Sequence, residues 1–112
     1  PSMAPTDGNR ALLAELDRVS RDVGTGPIEA HDPSQRGAGD ISFVAGIVSG
    51  LDGLGGLGDL DHAPGEWVDL DEMVRLTKRT AVLLDRLLQR PASASSWRPA
   101  SFDCAQDESA GR

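Results

Sequence analysis

Apolar residues recur at helical spacing along two stretches of the chain, and these stretches frame everything between them. Leu12, Leu16, Val19 and Val23 follow the capping residue types Thr6, Asp7, Gly8 and Asn9. That spacing predicts an amphipathic helix over residues 9–23 with one apolar stripe. Asp17 with Arg21 and Arg18 with Asp22 stand four apart on its polar side, and Gly24 is placed to end it. The second stretch carries Leu70, Met73, Val74, Leu76, Thr80, Leu83, Leu84, Leu87 and Leu88. Its apolar face is broad, as in a helix lying on a sheet. Asp69 and Glu72 form a capping box at its start, Asp71 stands four before Arg75, and Pro91 stops it. A helix of about twenty residues is expected, with Arg86 and Arg90 near the negative end of its dipole.

Between these helices the pattern is different. Residues 24–39 are rich in Gly, Pro, Asp and Ser, and only residues 28–31 suit a short extended piece. His31 there reads as a solvated loop histidine, since an extended backbone turns it and Asp32 to opposite sides. Asp40 then heads residues 41–45, a run equally compatible with a short capped helix or a strand. Residues 47–51, Ile-Val-Ser-Gly-Leu, read as a strand buried on both faces.

Residues 53–58, G-L-G-G-L-G, match the spacing of a dinucleotide-binding loop. That loop works only where a helix begins inside it, and here Asp59 and Asp61 would repel a phosphate. Asp59 and Asp61 also lack the alternating ligands and closing glutamate of an EF-hand. Ala63-Pro64-Gly65-Glu66 is a type II turn, with Gly65 where φ must be positive. It fixes His62 relative to Glu66. A histidine held there, outside a hydrophobic core, suits a metal ligand; by spacing alone it equally suits an ordinary loop histidine beside acids.

Composition narrows the classes. The chain has 112 residues and a formal charge of −7, a balance opposed to nucleic acid and to anionic membrane surfaces. One folded unit is expected over residues 1–90, small enough that its core is marginal. Residues 91–112 lack any period and are expected to be a disordered tail in which Cys104 carries no chemistry. A single cysteine excludes an internal disulfide framework and fits a reducing, cytoplasmic setting. Neither a signal peptide nor a membrane span is expected. The first residue is Pro1, so the chain is either a piece of a longer reading frame or one that starts from Met3 or elsewhere.

Three motifs occur in a fixed order: R-G-A-G-D-I-S-F-V-A, then G-L-D-G-L-G, then H-A-P-G-E-W-V-D-L followed by a long closing helix with K-R-T-A-V-L-L-D-R-L. Together they resemble the C-terminal end of zinc-dependent peptidases of the glutamate carboxypeptidase and aminoacylase type, a family that includes acetylornithine deacetylase and succinyl-diaminopimelate desuccinylase. Upstream, P-S-M-A-P-T-D-G-N-R-A-L-L is similar to the family's re-entry from its lid domain into the catalytic domain. The resemblance covers residues 1–90. It implies an α/β fold, part of a three-layer α/β/α catalytic domain ordered as helix, short strand, short helix, strand and long C-terminal helix.

It also implies a site with two zinc ions, in which His62 is the last zinc ligand. Gly37, Ala38, Gly39 and Asp40 then lie beside the substrate, a peptide or an N-acyl amino acid, offering backbone N–H groups to its carboxylate. The family's H-x-D motif, bridging aspartate, Glu-Glu pair and lid domain lie upstream of the matching segment and are not recognisable here. The expectation is the closing part of an amide hydrolase, catalytically inert as this chain. The alternative is a non-catalytic remnant or interaction module whose incomplete core favours self-association through the apolar helix faces.

Overall fold

The computed structural model describes residues 3–32 and 39–91. The first helix, α1, spans Asp7–Asp22, and its N-cap is Thr6, whose hydroxyl accepts the Asn9 N–H at 3.1 Å. It ends as the sequence predicts. Gly24 takes φ +78°, the Gly24 N–H donates to the Arg21 carbonyl at 3.2 Å, and the Thr25 N–H donates to the Ser20 carbonyl at 2.8 Å. These two bonds make a Schellman motif, which satisfies carbonyls the helix would otherwise leave unpaired. The second helix, α2, spans Leu70–Leu88, with the Asp69 carboxylate accepting the Glu72 N–H at 2.9 Å. Glu72 does not complete the reciprocal box but pairs with Arg75. Asp71 is thereby displaced as the expected partner of Arg75.

The two helices pack on each other around Leu16, Val19 and Leu83, with Ile28, Leu51, Leu54, Val82 and Leu87 half-buried against them. Leu16 and Val19 are the centre of the predicted stripe, while Leu12 is half-buried and Val23 is exposed. Asp17 pairs with Arg21 at 2.9 Å as its spacing predicts. Arg18 pairs instead with Glu15, which also meets Arg90, and Asp22 reaches across to Arg86 at 2.8 Å. Asp22 exchanges its expected neighbour for a partner on α2, while Arg18 takes a different neighbour on α1.

The segment between the helices departs most from expectation. Residues 28–31 form no strand, because the Ile28 N–H is taken by the Asp17 carboxylate at 2.8 Å. The run after Gly39 is a short 3-10 helix, Asp40–Phe43, which settles the choice between helix and strand. Residues 47–51 are not the buried strand their composition suggested. Two of their backbone donors are spent locally: Ile47 and Val48 N–H groups donate to the Val44 carbonyl at 2.9 and 3.1 Å. The Gly50 N–H donates to the Asn9 side-chain oxygen at 2.9 Å. Those three donors are unavailable to a ladder.

The described residues contain one sheet, and it lies further along. Strand β1, Leu57–Asp59, pairs antiparallel with β2, Trp67–Asp69, with Leu57 opposite Asp69 and Asp59 opposite Trp67. The fold is therefore mixed α/β, with two helices and a two-stranded hairpin. The tail expected over residues 91–112 lies outside the described residues except for Pro91.

Candidate functional site

The glycine-rich stretch and the turn after it produce a hairpin whose tip carries His62. Gly58 faces Val68 across the hairpin, and a Cβ there would overlap the Trp67 backbone, so only glycine permits this pairing. The tip consists of two turns in succession. The Ala63 N–H donates to the Leu60 carbonyl at 2.9 Å, and the Glu66 N–H donates to the Ala63 carbonyl at 3.2 Å. Gly65 has φ +91°, as a type II turn over residues 63–66 requires.

The first turn was not foreseen. Leu60 and His62 adopt φ +62° and +63°, the left-handed region that side chains with a Cβ rarely occupy. For leucine this conformation is unfavourable, and it persists only where surrounding bonds impose it. The Asp59 carboxylate accepts the Leu60 N–H at 2.7 Å, which holds the entry to the turn. His62, Asp61 and Glu66 are all exposed.

Of the residues expected beside a substrate, Gly39 and Asp40 are described, and Gly37 and Ala38 lie outside the described residues. Gly39 caps the 3-10 helix and packs so closely on Asp52 that a Cβ would overlap its carboxylate. Gly39 and Asp61 both line one cleft. Asp40 and His62 are not among the residues lining it. His31, read as a loop histidine, is exposed but borders this cleft as well.

The donor set decides what the hairpin can hold unaided. Among the described residues, no three His, Cys, Asp or Glu side chains come together in a group able to hold a metal ion. A zinc centre takes about three protein ligands, so the described residues do not make one by themselves. The dinucleotide pattern of residues 53–58 is likewise without its working part, because no helix begins within it. Among the described residues no helix is long and apolar enough to cross a membrane.

Sequence reasoning passed over Arg79 and Ser42, both of which line the cleft. The signal for Arg79 was present: it falls three residues after Leu76 and four before Leu83, inside the apolar stripe of α2. Burial pulls its guanidinium below the usual arginine range, and the charge of Glu72 opposes that shift. Comparison of the chain with protein-family models, with curated proteins and with solved structures returns no match.

Proposed function

We propose that this chain is the C-terminal portion of a zinc-dependent metallohydrolase of the carboxypeptidase and aminoacylase type, which cleaves the amide bond of a peptide or an N-acyl amino acid. Residues 1–90 close the catalytic domain, His62 is one ligand position of its two-zinc site, and Gly37, Ala38, Gly39 and Asp40 lie beside the substrate. The isolated chain is inert, since it supplies one ligand position, His62, and no recognisable general base. The observation that carries this reading is the strained tip of the hairpin. Backbone held in rare conformations is concentrated at functional sites, and here Leu60 and His62 both have φ near +60° around the histidine that the motif order singles out. The ordered motifs of residues 36–68 supply the chemistry. The unpartnered face of α2 supports the domain assignment, because Leu70, Val74, Leu84 and Leu88 are 67, 54, 55 and 83% exposed. At 100° per residue these four share one stripe, which upstream strands would cover.

The same stripe favours a second reading, a stand-alone interaction module. Two experiments separate them. Reading the coding sequence upstream of Pro1 should reveal an H-x-D motif and a Glu-Glu pair in frame, and the protein made from that frame should release amino acids from N-acyl substrates. An upstream start signal with unrelated sequence would overturn the hydrolase reading. Sedimentation of the 112-residue chain would then show whether the stripe joins two copies.

A further inference from the structure

Helix α2 carries two apolar faces. One holds Leu83 and Leu87, which pack toward Leu16 and Val19 of α1. The other is the row Leu70, Val74, Thr77, Ala81, Leu84 and Leu88, and all six of these residues are exposed. The row lies roughly 180° around the helix from the buried Arg79. A helix at the surface of a small fold turns polar residues outward. A second apolar face, directed away from α1, is therefore a face that a partner covers.

The spacing of the row says what kind of partner. Its steps are 4, 3, 4, 3 and 4 residues, the narrow pattern of a two-helix seam rather than the wider stripe of a helix on a sheet. The row is also self-complementary. Two copies laid antiparallel bring Leu88 beside the partner's Leu70, Leu84 beside the partner's Val74, and Ala81 beside the partner's Thr77. Opposed helix dipoles favour that direction, and it keeps the two acidic first turns, with Asp71 and Glu72, at opposite ends. Thr77 adds no orphaned polar group to the seam, because its hydroxyl donates to the Met73 carbonyl at 2.7 Å. One flank of the row carries Asp71, Lys78 and Asp85, all exposed, so two such flanks meet with both signs of charge present.

We propose that two copies of this chain pair through α2 as an antiparallel two-helix seam. The inference rests on the second reading above, the interaction module, and names the chain itself as the partner. The seam runs the length of α2, about 29 Å for its 19 residues. A two-fold axis through the layer of Thr77 and Ala81 closes it, so assembly stops at the dimer.

The test is sedimentation equilibrium of the 112-residue chain in EDTA, with circular dichroism to check that each variant folds. The wild type should sediment as a dimer that dissociates on dilution. Leu84→Glu puts a charge into the seam at a position exposed in the single chain, and should weaken dimerisation more than about thirtyfold. If Leu84→Glu loses helix content, Ala81→Arg keeps a good helix former at an exposed position and should have the same effect. Trp67→Ala, on the hairpin, should leave the dimer intact. Direction is read by disulfide trapping in a Cys104→Ser background: Leu70→Cys mixed with Leu88→Cys should cross-link, and neither variant should cross-link with itself. A helical, monomeric wild type would overturn the proposal. A dimer that survives both seam variants and falls to Trp67→Ala would overturn it in favour of the hairpin face while leaving the module reading in place. Self-cross-linking of either cysteine variant would overturn the antiparallel seam. The module reading fails separately, if the upstream frame encodes the rest of a hydrolase.

Discussion

The helix pair and the hairpin divide the labour of this molecule. Between α1 and α2 sit Leu16, Val19 and Leu83, exposed by 2, 0 and 4%. The hairpin buries none of its strand residues, and Trp67 and Val68 remain 51 and 47% exposed. The first region is held by packing. The second is held by local bonds: the turns over residues 60–66, the Asp59 carboxylate on Leu60 and the short ladder to β2. Packing sets stability, whereas local bonds set a conformation at little cost to the rest of the fold. A histidine presented on the second kind of structure can face a partner or a metal without disturbing the first.

Substitutions in the two regions should therefore behave very differently. Leu83→Ala removes one of three buried apolar side chains among the described residues. A loss of about 2–4 kcal/mol is expected, enough to unfold much of the population, as read by urea titration of the circular dichroism signal. Trp67→Ala, in contrast, should shift the midpoint by no more than about 0.5 kcal/mol. Equal losses at both sites would erase the distinction.

Asn9→Ala comes next. Its side chain donates to the Ala4 carbonyl at 3.0 Å and accepts the Gly50 N–H at 2.9 Å. Losing both should cost about 1–3 kcal/mol and speed hydrogen exchange at Gly50 while leaving the hairpin amides unchanged. Asp69→Ala removes the cap that joins the regions, and about 1 kcal/mol of stability should go with it. Faster exchange confined to the first turn of α2 is the signature to measure.

The smallest effect is a pH dependence. The Ile28 N–H and Arg21 hold the Asp17 carboxyl below the usual carboxylate range. A depressed folded value contributes stability that is present above about pH 4 and is lost as pH falls through the lower folded value. The wild type should lose this contribution on acidification below about pH 4, and Asp17→Asn should flatten that part of the melting-temperature profile. An unchanged slope would mean that the tie from α1 to Ile28 has no weight in solution.

The helices were legible because period and capping act within a few residues. Thr6, Gly24 and Asp69 fix boundaries through bonds no more than five residues long. Residues 47–51 misled for the opposite reason: a strand needs a partner, and composition alone does not reveal that Asn9, forty-one positions away, takes the Gly50 N–H. The hairpin was hidden by its glycines, since Leu57-Gly58-Asp59 has no alternating pattern to read. At the candidate site the turn around Pro64 and Gly65 was visible, but the left-handed Leu60 and His62 were not. Arg79 and Ser42 escaped because orphaned donors are a property of three-dimensional packing.

The most direct test of the hydrolase reading is the zinc content of the protein made from the full reading frame, with and without His62→Ala. About two zinc ions per chain in the wild type, and loss of at least one in the variant, is the outcome expected if His62 completes a donor set supplied from upstream. Identical zinc content in the two proteins, or none in either, would contradict it.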